Sequence, residues 1–186
     1  MNDLPKDSTH IELAPGHKRG LILKSPFIAE SGCWGFTDEY SKLIDMHLLG
    51  AMITNPITIN PRYPTRDVRM RQIETGIVLH TGLPNPGLSK ALLTYGKKWK
   101  NFACPVIVHL AVDTPEEARE CVYQLEEHDN VLGIELGFRH HEDLKHAAAI
   151  VANASKGSLP IIVKTPFENA ETFAKLAEDS GAQAIT

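Results

Sequence analysis

The 186-residue sequence predicts an α/β protein, a (β/α)8 TIM barrel of which this chain carries only part. Short apolar runs alternate with stretches whose apolar residues recur at helical spacing, the rhythm of βα units. The runs are also apolar on both faces, as parallel strands beneath helices are. An open doubly wound sheet shares both features. However, no G-x-G-x-x-G or G-x-x-x-x-G-K-[ST] follows any run, so the phosphate loops that mark a nucleotide-binding sheet are missing and the barrel is preferred.

In chain order, the expected strands are "FIA" from Phe27, "GAMIT" from Gly50, "GIVL" from Gly76, "PVIVHLA" from Pro105, "VLGIEL" from Val131, "PIIVK" from Pro160 and "AQAIT" from Ala182. Tyr40, Leu43, Ile44, His47 and Leu48 fall on one helical face, as do Leu88, Ala91, Leu92 and Tyr95, and then Leu144, Ala147, Ala148 and Val151. The clearest boundary is "DTPEEA": Thr114 can cap, Pro115 suits the first helical position, and Glu117 completes a capping box. The helix that follows should bury Ala118, Cys121, Val122 and Leu125. That makes six strands and the start of a seventh, too few to close an eight-stranded barrel. Residues 1–186 are expected to be a single barrel domain truncated before its last strands, either as a fragment or with something else completing it.

Composition narrows the function. A formal net charge of -4 and the lack of a long basic run argue against nucleic acid and for a small-molecule substrate. Cys33, Cys104 and Cys121 are widely spaced, odd in number and free of any C-x-x-C, which excludes a disulfide framework and a thiolate zinc site and fits the reducing cytoplasm. The N-terminal "MNDLPKDSTH" has no apolar core, and no run of about 18 apolar residues occurs, so neither a leader nor a membrane partner is expected.

A parallel barrel places its site at the C-terminal ends of the strands. Those positions hold Glu30, Ser31 and Gly32, then Thr54 and Asn55, then His80 and Gly82, then His109, then Arg139, His140 and His141, and finally Lys164. For His141, Glu142 and Asp143 the competing reading is the start of a helix, where acids favour the N-terminal dipole. Lys164, ending an apolar strand, either faces the barrel mouth or joins a charge pair. The loops "HTGLPNPGL" and "ESGCWGF" are glycine-rich enough to let backbone approach a flat ligand, though ordinary turns share that composition.

Taken in order, "LILKSPFIAESGCWGF", "LGAMITNPITINPR", "GLPNPG", "PVIVHLA" and "PIIVK" resemble the dihydroorotate dehydrogenases, chiefly class 1, and the related dihydropyrimidine dehydrogenase domain. The resemblance runs from about Ile11 onward. It implies a (β/α)8 barrel with FMN at its mouth and hydride transfer between a pyrimidine ring and the flavin. On the cofactor side it implies roles for Ser31, Gly32, Thr54 and Lys164, with Asn55 and His109 standing where the family has a lysine and an asparagine. On the substrate side it implies roles for His80, Gly82, Leu83 and Asn85, His80 lying where the family has asparagine. The family's cysteine base, in Asn-x-Ser-Cys-Pro-Asn, is replaced within residues 137–142, where His140 takes its place.

The resemblance therefore implies an FMN-dependent oxidoreductase with His140 and Lys164 as catalytic residues, either a homo-oligomer or one completed by a partner chain. Loss of the cysteine and of the substrate-reading amides equally suits a catalytically inactive relative acting as a subunit or scaffold. A third reading gathers His80, His109 and His140 on one rim as metal ligands, although their spacing matches no metal signature and the expected metal content is none.

Overall fold

The computed structural model describes residues 10–186; residues 1–9, which hold most of the polar N-terminal stretch, lie outside the description. An antiparallel pair, β1 (Ile11–Glu12) and β2 (Ile22–Leu23), opens the chain. Next come β3 (Ile28–Ala29) and β4 (Ala51–Ile53), then an antiparallel hairpin of β5 (Met70–Ile73) and β6 (Gly76–Leu79). Strands then alternate with helices: α1 (Leu88–Lys100), β7 (Val106–Leu110), α2 (Pro115–Leu125), β8 (Val131–Gly137), α3 (Leu144–Ala154), β9 (Ile161–Lys164), α4 (Ala170–Asp179) and β10 (Ala184–Ile185). Six of the strands form one parallel sheet in the order β3-β4-β7-β8-β9-β10. Sequential βα units laid side by side in this way are an incomplete TIM barrel, and among the described residues β3 and β10 are its unpaired edges.

Two expected elements differ. The "GIVL" run is not a barrel strand: it pairs antiparallel with β5, and all eight residues of the hairpin are exposed. Two residues join the strands, the shortest hairpin connection, so the chain doubles back before it can reach the sheet. The helix expected through Tyr40 and Leu48 is also absent. Carboxylates capture the local backbone instead, Glu39 accepting from Phe36 and Thr37 N–H and Asp45 from His47 N–H, which leaves turns and one short 3-10 turn at Met46–Leu48. Its would-be apolar face has nothing to cover, and Leu43 is 83% exposed.

The other helices follow their sequence signals. Thr114 accepts from Glu117 N–H at 3.1 Å with Pro115 in the first turn, but the Glu117 carboxylate returns to Asp113 N–H rather than to Thr114. Asp143 caps α3 by accepting from His146 N–H, so the acids after β8 do begin a helix.

Strand parity divides the core in two. Val106, Val108, Leu110, Ile134, Leu136, Ile161 and Val163 pack outward beneath the helices, alongside Trp99 and Ile150. The opposite parity, Ala51, Ile53, Ile107 and Ile162, packs against Ala14, Leu21 and Leu23 of the opening hairpin, which plugs the floor of the barrel. Continuing the inward parity toward the strand ends replaces the aliphatic layer with Glu30, Asn55, His109, Glu135, Lys164 and Thr186. The polar layer is thus produced by the same alternation that builds the core.

Candidate functional site

At the centre of the polar layer, His109 and Glu135 lie side by side on β7 and β8, paired across the sheet. His109 Nδ1 is 2.5 Å from Glu135 Oε2; the carboxylate is 0% exposed and the histidine 6%. The other carboxylate oxygen accepts from Thr186 Oγ1 at 2.9 Å. Burial pushes the Glu135 carboxyl up, but the hydrogen bond and charge of His109, together with Thr186 and the charge of Lys164, outweigh it and hold the group below its ordinary 4.5. Thr54 Oγ1, fully buried, accepts from His109 N–H and fixes the strand at that point.

Because the folded chain holds Glu135 below its unfolded value, the carboxylate's contribution to stability is fully present above pH 4.5. It is lost as pH falls through the lower folded value. Unfolding followed by circular dichroism across this range should show wild-type stability falling more steeply below pH 4.5 than that of Glu135→Gln. Equal slopes would contradict an ionised Glu135 in the folded chain.

Beside this pair opens a cavity of about 350 Å³, lined by His109, Gly137, Arg139, His140 and Lys164 together with Leu83, Arg62 and Asp113. Its size is that of a small-molecule site. The rim is charged with both signs, Asp113 accepting from both Arg62 and Arg139. Lys164 reaches across to the Glu30 carboxylate, so the strand-end lysine is both pocket-lining and ion-paired.

The expected residues are distributed unevenly. Leu83, His109, His140 and Lys164 converge on the cavity; His80 does not, because it follows the exposed hairpin rather than a barrel strand. The rim of three histidines is therefore not formed, and among the described residues no cluster of three or more His, Cys, Asp or Glu is arranged to hold a metal ion. His140 is exposed on the turn after β8. Asn55 Oδ1 accepts from Gly32 and Gly35 N–H, pinning the glycine turn. Asn85 is 7% exposed and clamps its own loop, accepting from Thr58 and Gly87 N–H and donating to Leu83 O. Gly82, with φ +79, shapes that loop against Thr65.

Two features of the glycine turn suit a bound group. Ser31 Oγ is buried without a hydrogen-bond partner among the described residues, and Gly32, with φ +94, has open space where a side chain would stand. Residues that the sequence reading passed over also matter. Glu135 was hidden in an apolar run, although an acid at the inward parity of a buried strand is a usable signal. Arg62 and Asp113 carried no such mark.

A protein-family model described as dihydroorotate dehydrogenase matches residues 17–185. The chain belongs to the dihydroorotate dehydrogenase family. Among relatives, the "Dihydroorotate dehydrogenase B (NAD(+)), catalytic subunit" of Streptococcus pneumoniae is 32% identical over 90% of this chain and 59% of its own length. The protein of the same description from Bacillus pumilus is 31% identical over 90% of this chain and 58% of its own. This family member thus spans under two thirds of the length of those relatives. A solved structure of DHODH from Eimeria tenella, in complex with ferulenol, superposes with a TM-score of 0.70 at 14% identity, covering 89% of this chain and 56% of that one, which supports the barrel fold. Among the described residues no helix is long and apolar enough to cross a membrane.

Proposed function

We propose that this chain supplies the cofactor-facing part of an FMN-dependent oxidoreductase of the dihydroorotate dehydrogenase type, passing hydride between a reduced ring substrate and the flavin. The observation that carries the reading is the polar layer at the barrel mouth, set against family membership: Lys164 and His109 line one cavity, and the glycine turn that follows Glu30, the ion-pair partner of Lys164, holds a buried hydroxyl with no partner among the described residues. Ser31, Gly32 and Lys164 would hold the flavin, with Thr54, Asn55 and His109 positioning the strands and turn around it. Leu83 would meet the substrate ring, and Gly82, Asn85 and His80 would shape the loop that carries it. FMN supplies the two-electron chemistry when bound; the chain's part is to orient the rings and move a proton. By sequence register that proton falls to His140, with Lys164 as the other catalytic residue.

A partner chain or a second copy accompanies this reading. The relatives are described as catalytic subunits, and the β5-β6 hairpin exposes Met70, Ile73, Ile77, Val78 and Leu79. An inactive relative serving as a scaffold would expose the same hairpin but would have no use for an ordered His-Glu pair in its mouth. The cysteines fit a reducing cytoplasm: Cys104 and Cys121 are buried thiols, pushed by burial up to about 11 and about 12, and Cys33 is free.

The test is FMN binding by the protein from its complete reading frame, followed by quenching of flavin fluorescence. Lys164→Ala is expected to weaken FMN binding about tenfold or more through the lost charge-assisted contact. Unchanged affinity in that variant would remove Lys164 from the cofactor side.

A further inference from the structure

The register that assigns the proton to His140 meets a geometric difficulty. A general base must first be held within reach of its proton. His140 is exposed, and among the described residues its ring makes no hydrogen bond or ion pair that would fix its direction. His109 lines the same cavity and differs on each count.

Its Nδ1 is bonded to Glu135, whose second oxygen is occupied by Thr186. An ionised carboxylate can only accept, so the hydrogen in this contact sits on Nδ1 and the neutral ring presents a bare lone pair at Nε2. Among the described residues Nε2 has no partner. The ring edge lies over Gly137, where a Cβ would stand 2.4 Å from Nε2 and 2.6 Å from Cε1. Any side chain there would displace or cover the imidazole, so glycine keeps Nε2 open to the cavity that both residues line. The charged groups facing the pair are Lys164 on β9 with its partner Glu30, and Arg62, Asp113 and Arg139 at the rim.

We propose that His109 Nε2 is the proton-accepting atom of this pocket, with Glu135 fixing its tautomer and Gly137 leaving its path open. The inference rests on the oxidoreductase reading and moves the proton step from His140 to His109. In the oxidative direction, a ring carbon of the substrate loses a proton to Nε2 while its neighbour gives hydride to the flavin, so the substrate gains a carbon-carbon double bond. The resulting imidazolium is paired by the Glu135 carboxylate. Glu135 is a positioning residue, since it touches His109 and not the ligand.

Two measurements on the protein from its complete reading frame test this. Nitrogen-15 NMR of the histidine rings needs no flavin: the neutral His109 ring should carry its hydrogen on Nδ1, and that tautomer preference should be lost in Glu135→Gln. An Nε2–H tautomer in the wild type, or an unchanged preference in Glu135→Gln, overturns the proposal. In the second, dihydroorotate is the reductant and bleaching of bound FMN is followed against pH. The acid limb of the rate profile should vanish in His109→Asn and persist in His140→Asn; the reverse assigns the proton to His140 and overturns the proposal. If dihydroorotate bleaches no flavin in the wild type while the Nδ1–H tautomer is seen, the oxidoreductase reading fails and takes the catalytic role with it, leaving only the geometry.

Discussion

Replacing Trp99 with alanine is expected to lower the free energy of unfolding by about 3–5 kcal/mol, as loss of a large core aromatic does. Trp99 is 0% exposed at the C-terminal end of α1, the first long helix to cover the sheet, and it packs with the outward layer of strand residues. Its indole N–H donates to Phe36 O at 2.7 Å, and its ring lies 6.3 Å from that of Tyr95, which stacks on Phe36 at 5.2 Å. Alanine would remove the filling of this layer and also orphan the Phe36 carbonyl. Trp99→Phe keeps most of the area and loses the hydrogen bond, so a smaller loss of about 1–2 kcal/mol is expected. Urea unfolding of the two variants at constant slope checks the order. Equal losses would mean that the carbonyl, not the packing, carries the effect.

Gly137→Ala is expected to cost about 1–3 kcal/mol by overpacking and to break the His109–Glu135 contact. The added methyl would sit 2.4 Å from Nε2 of a ring that cannot swing aside, because Glu135 holds its Nδ1 and the Thr54 hydroxyl holds its backbone N–H. The penalty should shrink when histidine is first replaced. In a double-mutant cycle with His109→Asn, the two positions should couple by about 0.5–3 kcal/mol, the range for residues in contact. Additive losses would contradict the fit of histidine over glycine. The cycle separates a steric partnership from two unrelated substitutions, which no single variant does.

Where local signals were strong, the sequence was readable. Thr114 and Pro115 begin their helix as expected, the strands at 106–110, 131–137 and 161–164 lie in continuous apolar runs, and the ordered motifs point to the family. The "GIVL" run misled because four apolar residues fit a buried strand and an exposed hairpin arm alike; only the partner strand decides. The stretch from Tyr40 to Leu48 had helical spacing, but Glu39 and Asp45 won the backbone donors. Lys164 and His140 were visible as strand-end residues, whereas the Glu135 contact was not, because it depends on the register between β7 and β8, which neither strand encodes alone. His80 follows the exposed hairpin and not a barrel strand, so among the described residues the three histidines do not share one rim.

The measurement that tests the account most directly is the visible absorption spectrum of the protein from its complete reading frame, purified and then mixed with FMN. Flavin bands approaching one equivalent, diminished in Lys164→Ala and in Ser31→Ala, are the result expected if the barrel mouth holds the cofactor. A colourless protein that takes up no FMN would contradict it, and would leave a dihydroorotate dehydrogenase-family barrel whose polar mouth serves some other ligand.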